Sequence, residues 1–124
     1  MTLVDSSSWI EAFRKSGDPK VRERVRLLLL KGEAAWCDMV RLELWNGAAG
    51  ASEKRSLRMF DRDLPRLEIS GAVWSLACKL AVRARAAGLT IPSSDLLIFA
   101  CASHHQVPIE HCDAHFDHAE RKLT

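Results

Sequence analysis

The sequence contains no tyrosine, few other aromatic residues and no long apolar run. Its longest hydrophobic stretch falls far short of the roughly 20 apolar residues that a transmembrane helix needs. The segment Met1–Asp5 also lacks the basic and hydrophobic regions of a secretory signal peptide. From these absences we expect a cytoplasmic protein that does not engage membranes.

Paired cysteine spacings such as C-x-x-C are absent too, and the four cysteines are Cys37, Cys78, Cys101 and Cys112. All four lie in or beside apolar runs, so we expect free, mostly buried thiols in a reducing compartment. The net charge is only +2, which by itself gives no sign of nucleic-acid binding. Cations nevertheless cluster within residues 20–31, 54–66 and 79–85. These clusters are either solvated helix faces or basic rims beside a site for a phosphate polymer.

Short apolar runs alternate with amphipathic segments over the 124 residues, a length that suits one domain spanning 1–124. The patterns predict strands at 2–5, 33–37, 67–69 and 107–110. They predict helices at 9–15, 20–31, 39–49, 52–61, 71–87, 94–105 and 115–122. This alternation predicts an α/β fold, a three-layer α/β/α sandwich with a mostly parallel central sheet.

Capping residues predict where several helices begin. Ser8 and Glu11 match the S-x-x-E capping box, so we expect the first helix to start just after Ser8. Asp38 is expected to cap the third helix, and Ser93 or Ser94 the sixth.

Acidic residues stand at unusual places along this pattern. Asp5 ends the first strand, Glu43 lies inside an apolar helical stretch, Asp95 opens a helix, and Asp113 follows the last strand. Strand carboxyl ends and helix amino ends meet at one edge of an open α/β sheet, where ligands bind. Carboxylates gathered there would repel each other unless a cation lay among them, so the pattern predicts a Mg²⁺ or Mn²⁺ site. Asp117, one helical turn beyond Asp113, is a fifth candidate.

Each acid also has a purely structural alternative. Asp5 would then cap a helix, Glu43 would lie on an exposed helix face, and Asp113 would be a turn residue. Asp95 in a first helical turn would gain about 0.3–1 kcal/mol from the helix dipole without any function.

Other site chemistries find less support in the sequence. The C-terminal region is rich in histidine and favours a zinc site at first sight: His104, His105, His111, His115 and His118. It contains neither an H-E-x-x-H motif nor a cysteine pair, which argues against zinc. A G-x-S-x-G elbow, a phosphate-binding loop and a dinucleotide fingerprint are likewise missing.

Taken in order along the chain, these segments resemble the PIN-domain ribonucleases of the VapC toxin type. Residues 3–10 are similar to that family's strand ending in Asp and followed by hydroxyl residues and an aromatic. Residues 40–44 are similar to its helix-borne glutamate, residues 94–100 to its helix-opening aspartate, and residues 113–117 to its Asp followed three residues later by Phe. The resemblance covers essentially the whole chain.

The resemblance implies a Mg²⁺- or Mn²⁺-dependent endoribonuclease that leaves 5′-phosphate and 3′-hydroxyl products. It implies that four acids are catalytic and bind the metal: Asp5, Glu43, Asp95 and Asp113. Asp117 would be an auxiliary metal-binding acid. Ser6 or Ser7 would position metal-bound water. The family further implies the toxin half of a toxin–antitoxin pair, a cognate antitoxin that can insert a basic side chain into the acidic site, and a homodimer.

Two other functions remain open from the sequence. One is a non-catalytic module whose acidic pocket receives a basic peptide from a partner. The other is a DNA-directed nuclease of the wider PIN and flap-nuclease group, although the short chain lacks extra elements to grip a DNA junction.

A group of large apolar residues bears on the antitoxin: Trp9, Phe13, Trp45, Leu57 and Phe60. We do not expect so small a domain to bury all five, so part of their surface is predicted to bind the antitoxin. The alternative is that all five form core.

Overall fold

The computed structural model describes residues 1–124. Its strands are β1 (Thr2–Val4), β2 (Ala34–Cys37), β3 (Arg66–Leu67) and β4 (Ile109–Glu110). Its helices are α1 (Ser6–Phe13), α2 (Pro19–Leu30), α3 (Asp38–Gly47), α4 (Ala51–Asp63), α5 (Gly71–Ala86), α6 (Ser93–His105) and α7 (Ala114–Leu123). No helix combines the length and the hydrophobicity needed to cross a bilayer.

The four strands form one parallel sheet in the order β3-β2-β1-β4. β1 is central, and its Leu3 pairs with Ala35 on one side and Ile109 on the other. Helices α1, α2 and α3 pack together, and α5, α6 and α7 form a second group. The predicted three-layer α/β/α sandwich with a parallel sheet is therefore confirmed.

Helix α6 lies deepest in the protein, because every residue from Asp95 to Ala102 is buried. A helix that is apolar on all sides has no face for solvent, so it must be enclosed by other elements. The buried path of α6 therefore carries the carboxylate of Asp95 into the interior.

The capping prediction for the first helix is wrong. Helix α1 begins at Ser6, because the Asp5 carboxylate accepts a hydrogen bond from the Ser7 backbone N–H at 3.0 Å. Ser8 is fully buried instead, and its hydroxyl donates to Glu110 Oε2 at 2.7 Å. An aspartate directly after the strand thus replaces the predicted capping box.

Two further caps also differ from the prediction. Asp38 is the first residue of α3 rather than its cap, and its carboxylate lies 3.3 Å from the Arg66 guanidinium. Pro92 precedes α6, so neither Ser93 nor Ser94 is the N-cap. Helix α2 keeps a side-chain cap, since the carboxylate of its N-cap Asp18 accepts the N–H of Lys20.

The cysteines divide evenly between interior and surface. All four are free thiols, as expected, but only Cys37 and Cys101 are buried, whereas Cys78 and Cys112 are exposed. The expectation of mostly buried thiols is therefore wrong for half of them.

The large apolar residues are buried more fully than their number predicted. Trp9 and Leu57 are almost wholly enclosed, and Trp45 and Phe60 pack half-buried against the core. Trp9 and Phe60 are in contact, with ring centroids 4.8 Å apart. Only Phe13 is markedly exposed, at 38%. Most of this group is core, so Phe13 is its member most accessible to a partner.

Candidate active site

The four predicted acids come from four different elements. Asp5 joins β1 to α1, Glu43 lies in the middle of α3, Asp95 is in the first turn of α6, and Asp113 caps α7. Their charges act on one another, because Asp5, Asp113 and Glu43 all raise the pKa of Asp95. The fold therefore brings the four carboxylates into one cluster.

Asp5 is the most enclosed acid of the cluster, with 3% of its surface exposed. Its Oδ2 accepts two hydrogen bonds from Ser7, from the backbone N–H at 3.0 Å and from the hydroxyl at 2.6 Å. Its Oδ1 is buried and has no donor. A buried carboxylate oxygen without a partner is costly, so this atom fits a cation ligand.

Glu43 is half-buried, and Ser6 Oγ donates to its Oε1 at 3.1 Å. Burial raises the pKa of Glu43, the Ser6 hydrogen bond opposes the rise, and the charges of Asp5 and Asp113 add to it. The electrostatic cost of ionising Glu43 comes from both sources, lost water and nearby negative charge.

Asp95 is perturbed more strongly. Burial, followed by the negative charges of Asp113 and Asp5, raises its pKa from 3.8 to about 6, while His115 opposes the rise. Its side chain is 11% exposed. A carboxylate with a pKa raised this far by burial and neighbouring negative charge is typical of a functional site.

Asp113 is the N-cap of α7, and its Oδ1 accepts the His115 backbone N–H at 2.8 Å. The same oxygen lies 2.9 Å from His115 Nδ1, which is also 3.3 Å from Asp95 Oδ2. The structural alternative for Asp5 is thus correct in one respect, because Asp5 caps α1; Asp113, expected in that alternative to be a turn residue, caps α7 instead. Capping occupies only some of the lone pairs of each carboxylate.

His115 is the one residue in this cluster that the sequence motifs did not indicate as a metal ligand. Its ring lies between Asp113 and Asp95, although no zinc motif surrounds it. Its position could have indicated this role, because a residue two places after an N-cap aspartate lies in the first turn of the helix, close to the capping carboxylate.

The two serines assigned to the site contact its carboxylates. Ser6 donates to Glu43, and Ser7 donates to Asp5 while its Oγ accepts the Cys112 N–H at 2.9 Å. Ser7 therefore ties the loop before Asp113 to Asp5. The predicted role of these serines toward metal-bound water stays a prediction.

Asp117 lies on the exposed side of α7. Its carboxylate is 64% exposed and its Oδ1 lies 3.6 Å from His111 Nε2. Its auxiliary role in metal binding stays a prediction.

The donor set fits a divalent cation. Ligand atoms of Asp95, Asp113 and His115 all lie within 4.8 Å of one another. His115 Nδ1 is buried and has no hydrogen-bond partner, and the same holds for Oδ1 of Asp5, whose charge acts on Asp95. Carboxylate oxygens are the ligands that Mg²⁺ and Mn²⁺ prefer, and an ion here would offset the repulsion among the acids.

The parallel four-stranded sheet between two groups of helices is consistent with one known family. The PIN-domain family model matches residues 2–122. The chain is 36% identical over 121 residues to "VapC ribonuclease Mb1587" of Mycobacterium bovis and to "Ribonuclease VapC11" of Mycobacterium tuberculosis, covering 94% of this chain and 90% of each relative. It is 30% identical over 118 residues to "Ribonuclease VapC18" of M. tuberculosis, covering 92% and 83%. The chain belongs to the VapC ribonucleases of the PIN-domain family.

Solved structures agree on the fold. FitAcB from Neisseria gonorrhoeae superposes with a TM-score of 0.72 at 18% identity, covering 97% of this chain and 94% of that chain. VapBC2 from Rickettsia felis, bound to a DNA fragment from its promoter, gives 0.67 at 16% identity, covering 87% and 84%.

Proposed function

We propose that this chain is a Mg²⁺-dependent endoribonuclease, the toxin of a toxin–antitoxin pair, which hydrolyses RNA phosphodiester bonds with water as the nucleophile. The observation that carries the proposal is that Asp5, Glu43 and Asp113 all raise the pKa of Asp95. Two potential metal-ligand atoms in this region, Asp5 Oδ1 and His115 Nδ1, are buried and have no hydrogen-bond partner. The relatives named as ribonucleases support the same activity.

Each residue contributes through its position. Asp5, Glu43, Asp95 and Asp113 would hold the cation, and Asp117 would assist from the rim. A bound divalent cation supplies a more acidic water and neutralises charge on the attacked phosphate. Ser6 and Ser7 hold the carboxylates by hydrogen bonds, which keeps the acids in place while substrate enters.

The activity is tested with purified protein, small RNAs and Mg²⁺ as the only added metal. Asp5→Asn or Asp95→Asn should abolish cleavage, because asparagine keeps the shape but removes the charge that holds the metal. Glu120→Gln, on the exposed side of α7, is the matched control and should cleave normally. Full activity in either aspartate variant, or cleavage that persists in chelator, contradicts the assignment.

The same assay separates the alternatives. Cleavage of single-stranded DNA in preference to RNA of the same sequence would indicate the DNA-directed nuclease. Absence of any cleavage, together with tight binding of a basic peptide that Asp95→Asn weakens, would indicate the non-catalytic module.

An apolar groove beside the acids supports an antitoxin partner. Helices α1, α3 and α4 enclose about 290 Å³, lined by Ile10, Phe13, Leu44 and Leu57 and also by Glu43. Ile10 is 46% exposed and Phe13 38%, so apolar surface is available there. Because Glu43 belongs to both the groove and the acid cluster, a segment seated in the groove can extend a basic side chain toward the acids.

The antitoxin contact is tested by calorimetry with the product of the small open reading frame expected immediately upstream. Phe13→Ala should weaken binding, because truncating an anchor in a groove costs more than about 1 kcal/mol. Leu30→Ala, 68% exposed on α2, is the control. Trp9 is unsuitable because it is fully buried and its removal would disturb the fold. Equal affinity of the folded Phe13 variant and the parent would place the interface elsewhere.

A homodimer in the cytoplasm completes the proposal. Trp74 and Val82, 56% and 72% exposed, lie two turns apart on α5 and offer an apolar surface to a second copy. Light scattering of the parent and of Trp74→Glu tests this contact, and a parent that is monomeric at high concentration contradicts it. Cell fractionation checks the compartment.

A further inference from the structure

We propose that His115 Nδ1 is a direct metal ligand, which gives the site a mixed nitrogen and oxygen donor set that favours Mn²⁺ over Mg²⁺. The inference rests on the proposed metal-dependent function and narrows it, because the four acids alone do not distinguish the two ions.

The first support is the spacing of the ligand atoms. His115 Nδ1 lies 2.9 Å from Asp113 Oδ1 and 3.3 Å from Asp95 Oδ2. Ligands about 2.1 Å from an ion and at adjacent corners of an octahedron are about 3.0 Å apart. Both distances are close to this separation, and the third pair of ligand atoms, on Asp95 and Asp113, lies within 4.8 Å, so the three can be ligands of one ion.

The second support is the lack of a hydrogen bond at that nitrogen. His115 Nδ1 is buried and makes none, despite its short distances to two carboxylates. Asp113 Oδ1 already accepts the His115 backbone N–H at 2.8 Å. An imidazolium that merely neutralised the acids would direct its N–H at one of the two oxygens, and this ring does not.

A third, independent atom points the same way. Asp5 is 97% buried, since 3% of its surface is exposed, and its Oδ1 has no donor. Its charge acts on both Glu43 and Asp95, so it belongs to the same cluster. A carboxylate oxygen and an imidazole nitrogen both lacking partners are the two ligand types that a borderline divalent ion accepts.

The backbone holds the ring in place before any ion binds. Asp113 is the N-cap of α7 and His115 is the second residue of that helix. The next residue, Phe116, is 2% exposed and anchors α7 in the core. Because the backbone at His115 is already ordered, little conformational entropy is lost when the ring binds an ion.

The chemical consequence is a change of metal preference. Mg²⁺ demands oxygen ligands and retains its waters, whereas imidazole suits the first-row transition metals. Replacing one oxygen position by nitrogen therefore favours Mn²⁺.

Mn²⁺ itself is the probe. Electron spin echo envelope modulation of Mn²⁺ added to the wild-type protein should show coupling to a directly bound ¹⁴N nucleus. The coupling should disappear in His115→Gln and persist in His104→Gln, an exposed histidine on α6. In calorimetry, His115→Gln should weaken Mn²⁺ binding at least about tenfold and change Mg²⁺ binding less than about threefold.

Several outcomes overturn the inference. If Mn²⁺ binds the wild-type protein and shows no ¹⁴N coupling, the inference is wrong, and no variant is needed to show it. Coupling that survives in a folded His115→Gln overturns it as well. Equal affinity of the wild type for the two ions also overturns it. In those cases Asp95-dependent Mg²⁺ binding and RNA cleavage leave the proposed function standing, whereas loss of both would overturn the function itself.

Discussion

Asp95→Asn should stabilise the metal-free protein even as it abolishes metal binding. Burial and the neighbouring carboxylates raise the pKa of Asp95 from 3.8 to about 6, and its side chain is only 11% exposed. Each unit by which the pKa differs between the folded and unfolded states corresponds to about 1.36 kcal/mol, so ionised Asp95 destabilises the folded state by about 3 kcal/mol. At about 4 °C per kcal/mol for a domain of this size, the melting temperature should rise by up to about 12 °C. This is an upper limit, because the asparagine amide also loses water on burial.

The effect must depend on pH with a definite sign. Because the folded pKa of Asp95 lies above its unfolded value, the folded state binds the proton more tightly, and the destabilisation is complete only above pH 6. As the pH falls from about 6 toward 3.8, Asp95 becomes protonated and the parent regains this stability. The advantage of Asp95→Asn should therefore be largest near pH 7.5 and small near pH 4.

Thermal melts in chelator across this pH range provide the assay. Asp117→Asn removes the same charge from a carboxylate that is 64% exposed and should move the midpoint far less. A folded Asp95→Asn that melts at or below the parent at pH 7.5, or a difference that does not change with pH, would refute the reasoning.

Three other predictions concern the scaffold. Glu110→Ala should lower stability by about 1–3 kcal/mol in urea titrations, since it leaves the fully buried Ser8 hydroxyl without its carboxylate acceptor; an unchanged midpoint would argue against this. Gly17→Ala should be at least as harmful in the same titrations, because an added Cβ would lie 1.8 Å from a backbone oxygen, and a stable variant would show that this turn can move. A thiol reagent should modify Cys78 and Cys112 in the native protein and all four cysteines only after unfolding; four fast reactions would contradict the observed burial.

The order of strands and helices, and the positions of the four acids along it, were predictable because both depend on local sequence pattern. Alternating short apolar runs and amphipathic helices predicted the parallel sheet, and the topology of such sheets then places strand ends at one edge. Asp5, Glu43 and Asp113 accordingly lie near enough to raise the pKa of Asp95, whereas the prediction that all four acids hold one metal stays a prediction.

The errors come from choices that only tertiary packing decides. The residues around Ser8 match a capping box, but the Ser8 side chain is buried and donates a hydrogen bond to Glu110. The carboxylate of Asp5 caps α1 instead. The contact of His115 with Asp95 depends on how α7 packs against α6, which no sequence period encodes. The burial of Trp9 follows from its contact with Phe60, a residue distant in the chain.

The position of β1 in the sheet has a consequence for synthesis of the chain. Leu3 pairs with Ile109, and the Asp5 N–H donates to the Glu110 carbonyl at 2.9 Å. The pairing of β1 with β4 therefore cannot form until residues near the end of the sequence have been synthesised. At about 5–20 residues per second, a ribosome takes roughly 6–25 s to translate these 124 residues. The nascent toxin should be harmless throughout that interval, because Asp113 has not yet joined the other acids. Ribosome-stalled chains ending at residue 105 should neither bind Mn²⁺ nor cleave RNA, whereas chains extended by a linker beyond residue 124 should do both.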